Sequence, residues 1–278
     1  MFVSVVALIS RILSNPIANF YQKKLTVMES SLTVNFWSYF FMAILCLPFI
    51  KNNQILGYSL DFYLYVILAG LLCFLGTICL IKALSIGELS ILGPINSYKS
   101  IIGLIVAFFV LGEIPNIKSL TGFFLIIGAS FLFVDEKGKF ILNKSVLLRM
   151  LALVFTGVEA VILKQIILMS SPTVSFVWWA FTGLIFSFLF AFINKKLKPN
   201  SIKTVQTCLI IGVLLSIMQL STNYVFENFN VGLSLALFQL SSVVSLFLGF
   251  KFLNEKGILR KTTGTIIMII GSILILLK

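Results

Sequence analysis

The sequence predicts an all-α integral membrane protein with ten transmembrane helices, arranged as two inverted five-helix repeats. Three observations predict it. The composition is that of a chain dissolved in lipid, with 59% hydrophobic and 11% charged residues and a mean hydropathy of +1.11, well outside the range of soluble domains. The apolar residues fall in runs long enough, at ~1.5 Å per residue, to cross a hydrocarbon layer of about 30 Å. Finally, the second half of the chain restates the first.

In order, the runs cover residues 2 to 22, 33 to 50, 61 to 84, 88 to 111, 117 to 134, 147 to 168, 172 to 193, 205 to 228, 231 to 253 and 260 to 277. The first could be mistaken for a signal peptide, but no small-residue cleavage site follows it and the repeat needs it as a span. No connection is long enough to hold a soluble domain. The strongly charged interruptions are Asp135-Glu136-Lys137-Gly138-Lys139, Lys195-Lys196-Leu197-Lys198 and the stretch from Glu255 to Lys261. With an offset of 140, Lys24, Ser30, Ser31, Thr33, Val34 and Phe36 fall on Lys164, Ser170, Ser171, Thr173, Val174 and Phe176. An offset of 145 places Gly87 and Leu92 on Gly232 and Leu237, and an offset of 142 places Leu111, Glu113, Thr121 and Gly122 on Leu253, Glu255, Thr263 and Gly264. The predicted units are residues 1–140 and 141–278. Five spans per unit force the second to enter the membrane from the opposite side, which places a binding site near the midplane where the halves meet.

Several function classes drop out. The net charge of +12 comes from basic residues scattered among short loops, whereas a nucleic-acid partner requires a clustered patch. Histidine is absent and no carboxylates pair at helical spacing, so an enzyme is not expected. Cys46, Cys73, Cys79 and Cys208 lie inside apolar runs without CxxC spacing, which predicts packing residues and no metal or disulfide. No nucleotide-binding loop is present, and no cofactor is expected. Basic residues gather in the loops that follow odd-numbered spans, among them Lys23, Lys24, Lys137, Lys139, Lys144, Arg149, Lys195, Lys196, Lys198, Lys203, Lys256, Arg260 and Lys261. The other side keeps Lys51, Lys118, Lys164 and Lys278, so the charge bias favours both termini outside. Arg11 blurs where the first span starts.

The fourth run carries the strongest candidate. Lys99 lies about twelve residues from either end of it, too deep for its head to reach an interface. A lysine there must be paired, deprotonated, or turned toward water or an anionic ligand. Asn96 and Tyr98 flank it as further binding candidates, and Pro94 removes a backbone donor and can kink the span, a candidate gating element. Glu159, in the middle of the sixth run, matches Asn19 under the 140 offset and is the candidate for binding or coupling, with a static ion pair to Lys99 or Lys164 as the structural alternative. Asn223, Tyr224 and Gln239 add polar groups to the eighth and ninth runs. Lys82 and Glu227 correspond under the 145 offset and are gating candidates, although their place near span ends fits snorkelling as well. Ser241 and Ser242 read as back-bonding to their helix. Trp37, Trp178 and Trp179 read as packing rings. Gly257, Gly264 and Gly271 mark one face of the last run, a seam within the fold or between two copies in a homodimer.

The sequence Ala83-Leu84, a short turn, Gly93-Pro94, Leu111-Gly112-Glu113 and a glycine-containing span from Leu120 resembles the EamA repeat of the drug/metabolite transporter superfamily. The second copy is degraded, with Gln239 at the position of Pro94 and Asn254-Glu255 in place of Gly-Glu. The resemblance implies a ten-span secondary transporter. Its relatives export amino acids and other metabolites or carry nucleotide sugars and phosphorylated sugars, often with both ends described as cytoplasmic. The expected function is export of a small polar metabolite with an anionic group, such as an amino acid, across a plasma membrane of the bacterial inner-membrane kind. Membrane lipids and the cargo are the expected partners. A sugar-phosphate or nucleotide-sugar carrier is expected instead if Lys82 and Lys164 converge on Lys99, and a lipid-handling protein if Lys99 and Glu159 are sealed against each other.

Overall fold

In the computed structural model, residues 2–51, 55–99, 101, 102, 105, 116–132, 143–229 and 231–276 are described, and every regular element among them is helical. The order is α1 (Phe2–Leu25), α2 (Ser31–Lys51), α3 (Leu60–Ile86), α4 (Leu89–Leu92) continued by a 3-10 turn at Pro94–Ser97, α5 (Ile117–Ser130), α6 (Lys144–Met169), α7 (Pro172–Ile193), α8 (Ile202–Asn228), α9 (Val231–Leu237) continued by a 3-10 turn at Phe238–Leu240, α10 (Ser241–Leu253) and α11 (Ile258–Leu276). Side-chain caps set several starts. Ser59, Asn143, Ser171 and Ser201 each accept a bond from an amide in the first turn that follows, satisfying donors that a helix leaves open.

Seven segments are long and apolar enough to cross a bilayer: Val3–Leu25, Ser31–Lys51, Leu60–Ile86, Lys144–Met169, Pro172–Ile193, Ile202–Asn228 and Ser234–Leu253. The other three predicted runs fall on α4 with its 3-10 turn, on the 14-residue α5 and on α11. Leu111-Gly112-Glu113 and the run from Asp135 to Lys139 lie outside the described residues, as does Lys278. Leu64, Ile67, Phe188 and Phe192 stand exposed on the helix surfaces. So much apolar surface is costly in water and favourable against lipid, which makes the chain an integral membrane protein.

The tightest helix pairs join the two halves: α3 on α6, α1 on α8, α2 on α7, and α5 on α11. Loop contacts separate the two ends of this bundle. At one end, Glu29 accepts from the Asn200 amide (2.7 Å) and Thr204 Oγ1 (2.7 Å), and Trp37 Nε1 donates to the Leu197 carbonyl (2.9 Å). At the other, Trp178 Nε1 donates to the Ile55 carbonyl (3.2 Å). A pair of lysines repeats one contact at opposite ends. Lys23, closing α1, donates to the carbonyls of Leu84 and Gly87 at the end of α3. Lys164, in the last turns of α6, donates to those of Phe226 and Phe229 at the end of α8. Each puts a cation on the carbonyl end of a helix dipole. The matching residue in the first half is therefore Lys23, one place from the Lys24 that the 140 offset selects. Short polar matches cannot resolve a one-residue slip.

Two glycines mark where helices close on each other. A Cβ at Gly76 would run into Thr156 across the α3–α6 seam, and one at Gly271 would press on the Gly122 carbonyl and Ile126 across the α5–α11 seam. Gly271→Leu is expected to lower stability by about 1–3 kcal/mol, read as a fall in the thermal unfolding midpoint in detergent. Gly257, assigned from the sequence to the same face, instead sits in the turn before α11 at φ +78°.

Candidate functional site

Both the fourth and ninth predicted spans break part-way into a 3-10 turn, and the breaks meet. Asn96 Nδ2 donates to Gln239 Oε1 (3.1 Å), Ser97 Oγ lies 3.5 Å from the same oxygen, and Gln239 Nε2 donates to the Leu235 carbonyl (2.8 Å). The Leu92 carbonyl, just ahead of the Gly93-Pro94 break, accepts from Arg149 Nε (3.1 Å), while Arg149 Nη2 donates to Asn96 Oδ1 (2.8 Å). Arg149 thus satisfies backbone and side-chain acceptors that the interrupted helix leaves open. Replacing it with leucine is expected to destabilise the protein by about 1–3 kcal/mol, measured by thermal unfolding in detergent.

Beside these breaks lies a cavity of about 110 Å³, several times the ~10–15 Å³ that one water needs on the same measure. Its charged lining consists of Arg11, Lys99, Arg149 and Glu159, and Asn15, Asn19, Gln22, Tyr39, Trp179, Gln219 and Thr222 add polar edges. Lys99 stands ten residues from the start of α4, Glu159 ten from the end of α6, and Arg11 nine from the start of α1. At ~1.5 Å per residue each lies about half-way through a 30 Å layer. Glu159, buried, accepts from Trp179 Nε1 at 3.1 Å. Arg11 Nε donates to Thr222 Oγ1 at 2.9 Å, and its guanidinium lies 4.7 Å from the Phe238 ring centre, a cation–π distance. Among the described residues, Lys99 makes no hydrogen bond and no ion pair within 4 Å; the ion pairs are Lys23 with Glu255 (3.8 Å) and Lys261 with Glu88.

The structure brings together three of the predicted site residues, Lys99, Asn96 and Glu159. Tyr98 packs against a second apolar cluster. Asn223, fully buried, donates to the Pro172 carbonyl (2.9 Å) and accepts from Gln219 Nε2 (3.0 Å), tying α8 to the start of α7. Tyr224 packs on the main core, and Gln239 reaches the cavity only through Asn96. Lys82 and Glu227 are exposed near the ends of α3 and α8, and Pro94 is buried at the start of its 3-10 turn. Trp179, read from the sequence as a packing ring ahead of a pocket wall, lines the cavity. The residues that sequence reasoning missed are Arg11 and Arg149. Both lie inside helices the sequence already places, and the available signal was a guanidinium within an apolar run.

A second charged cluster lies where α1, α3 and α10 end. Glu255 accepts from the amides of Leu89 (2.7 Å) and Ser90 (2.8 Å), capping α4 from the other half of the chain, with Lys23 beside it. Lys261 bonds Glu88 and Ser90 Oγ (2.9 Å). The Glu113 counterpart of Glu255 lies outside the described residues.

A membrane-embedded helical bundle whose two halves enclose a charged cavity is the architecture of a membrane transporter. The chain belongs to the EamA-like transporter family, whose model matches it twice, over residues 4–134 and 143–277, within the drug/metabolite transporter superfamily. No curated protein matches it. Solved structures match as well, 28 chains among them; one, a protein crystal structure, is similar in fold with a TM-score of 0.70 at 12% identity, covering 99% of this chain and 96% of its own.

Proposed function

We propose that the protein is a secondary transporter of ten spans in two inverted repeats, residues 1–140 and 141–278. It exports a small polar metabolite bearing an anionic group, such as an amino acid, by alternating access across a plasma membrane of the bacterial inner-membrane kind. One observation carries the reading: at mid-membrane depth the cavity sets three cations, Arg11, Lys99 and Arg149, against the single carboxylate of Glu159. Surplus positive charge in a low-dielectric wall is costly when empty and is offset by an arriving anion. Glu159 offers the opposite charge to an ammonium group, so a zwitterion finds both partners. Rocking of the halves about their seams would expose the cavity to each side in turn, with Pro94 at the break as a pivot and Lys82 and Glu227 at the rims.

A carrier of nucleotide sugars or phosphorylated sugars is the second reading. The two guanidiniums favour it, since arginine forks suit a dianion. The convergence of Lys82 and Lys164 that it needed does not support it, because Lys82 is exposed and Lys164 is engaged at the end of α8. A lipid-handling protein without a polar cavity has less support, since Glu159 pairs with Trp179 and not with Lys99. The test is a thermal-shift screen of the purified protein against amino acids, sugar phosphates and nucleotide sugars. Stabilisation should scale with ligand excess, at about 2.7 kcal/mol for a hundredfold excess over Kd. Amino acids are expected to stabilise the protein; stabilisation by sugar phosphates alone would favour the second reading.

A further inference from the structure

We infer that Arg11 grips the anionic group of the cargo and sets the preference for an acid over its neutral analogue; this rests on the transporter reading above. The three cavity cations are not equivalent. Arg149 spends its guanidinium on the Leu92 carbonyl and Asn96 Oδ1, so it belongs to the scaffold of the broken helix. Lys99 is a point charge on a flexible stem. Arg11 is held differently. Its Nε is tethered to Thr222 Oγ1 (2.9 Å) and its Cζ lies over the Phe238 ring, yet its Nη1 is buried with no hydrogen-bond partner.

A guanidinium carries five N–H donors in a fixed fork, and a buried donor left unmet is destabilising. A fork held at Nε and against a ring, on a residue that lines the cavity and with one donor nitrogen unmet, is pre-organised for a carboxylate, which accepts two parallel bonds from it. Gln22 Oε1 is the other unpartnered buried polar atom of the lining. It lies eleven residues further along α1, about 16 Å away at ~1.5 Å per residue, too far to share an α-amino acid with Arg11. On the facing helix, Glu159 has one oxygen on Trp179, and no described residue donates to the other. An α-amino acid with its carboxylate on Arg11 and its ammonium on Glu159 uses both charges, with Lys99 reinforcing the anion.

The experiment is titration calorimetry on the full chain in detergent, using alanine, leucine and glutamate against alaninamide and leucinamide as probes. Wild type is expected to bind acids more tightly than amides. Arg11→Gln is expected to collapse that ratio by roughly tenfold to a hundredfold, the worth of a charge-assisted bond. Arg11→Lys keeps the charge without the fork and should give an intermediate ratio. Thr222→Val removes the tether, with the hydroxyl's bond to the Met218 carbonyl, while keeping the Arg11 charge, and should lower the ratio a few-fold, so the inference stays testable even if Arg11→Gln fails to fold. An unchanged acid-to-amide ratio in these variants, or equal binding of acids and amides by wild type, overturns the role of Arg11 and leaves the transporter reading standing. Binding of none of the five probes overturns the amino-acid reading and the Arg11 role with it.

Discussion

Lys99→Ala is expected to lower the rate of cargo exchange roughly a hundredfold while leaving the protein folded. The lysine sits at mid-membrane depth, faces the cavity, and makes no hydrogen bond or close ion pair among the described residues, so its removal orphans no neighbour. On the proposed function, what is lost is an interaction made only when cargo is present. A charge-assisted contact in a dry site contributes about 1.5–3 kcal/mol, and the long-range field of a mid-membrane cation adds to it. Lys99→Arg should retain part of the activity. Exchange of labelled amino acid in proteoliposomes, alongside a thermal unfolding midpoint no lower than wild type, checks both halves. A variant that unfolds on purification would instead show that Lys99 holds the fold together.

Glu255→Ala is expected to be the most destabilising single change outside the cavity, at about 3 kcal/mol or more. The carboxylate accepts the amides of Leu89 and Ser90 and stands beside Lys23, with its side chain 5% exposed. Truncation leaves two helix-start donors unmet and a half-buried cation without its partner, each a named cost of 1–3 kcal/mol or more. Glu255→Gln keeps an acceptor and should cost about half as much. A lowered unfolding midpoint in detergent, with the alanine variant worse than the glutamine variant, is the expected result; equal and negligible shifts would show that water at the membrane surface caps α4 equally well.

How much of this was legible beforehand follows from what each signal depends on. Lys99, Glu159 and the Gly93-Pro94 break stand out because each is a polar or helix-breaking residue in the middle of an apolar run, and the bilayer penalises such residues wherever their helices pack. Lys99 and Glu159 line one cavity beside that break; from the repeat came only the expectation of a site near the midplane where the halves meet. Arg149 reads as a loop cation and Arg11 only blurs the start of the first span, since run boundaries drawn by hydropathy cannot distinguish a snorkelling guanidinium from one turned inward. The same ambiguity sent Asn223 and Gln239 to the cargo. Their amides close on the Pro172 carbonyl and on Asn96, contacts between distant segments that no local pattern encodes. The cap from Glu255 to α4 crosses 165 residues or more of sequence; the Leu-x-Glu motif marked the residue and not its task.

The most direct measurement is counterflow in proteoliposomes loaded with an unlabelled amino acid, following uptake of the labelled one in wild type and in Lys99→Ala. Saturable, transient accumulation is expected in wild type and its loss in the variant, as follows if cargo is held at the mid-membrane cavity. Counterflow of equal size in both proteins would contradict it, and would place the cargo path somewhere other than this cavity.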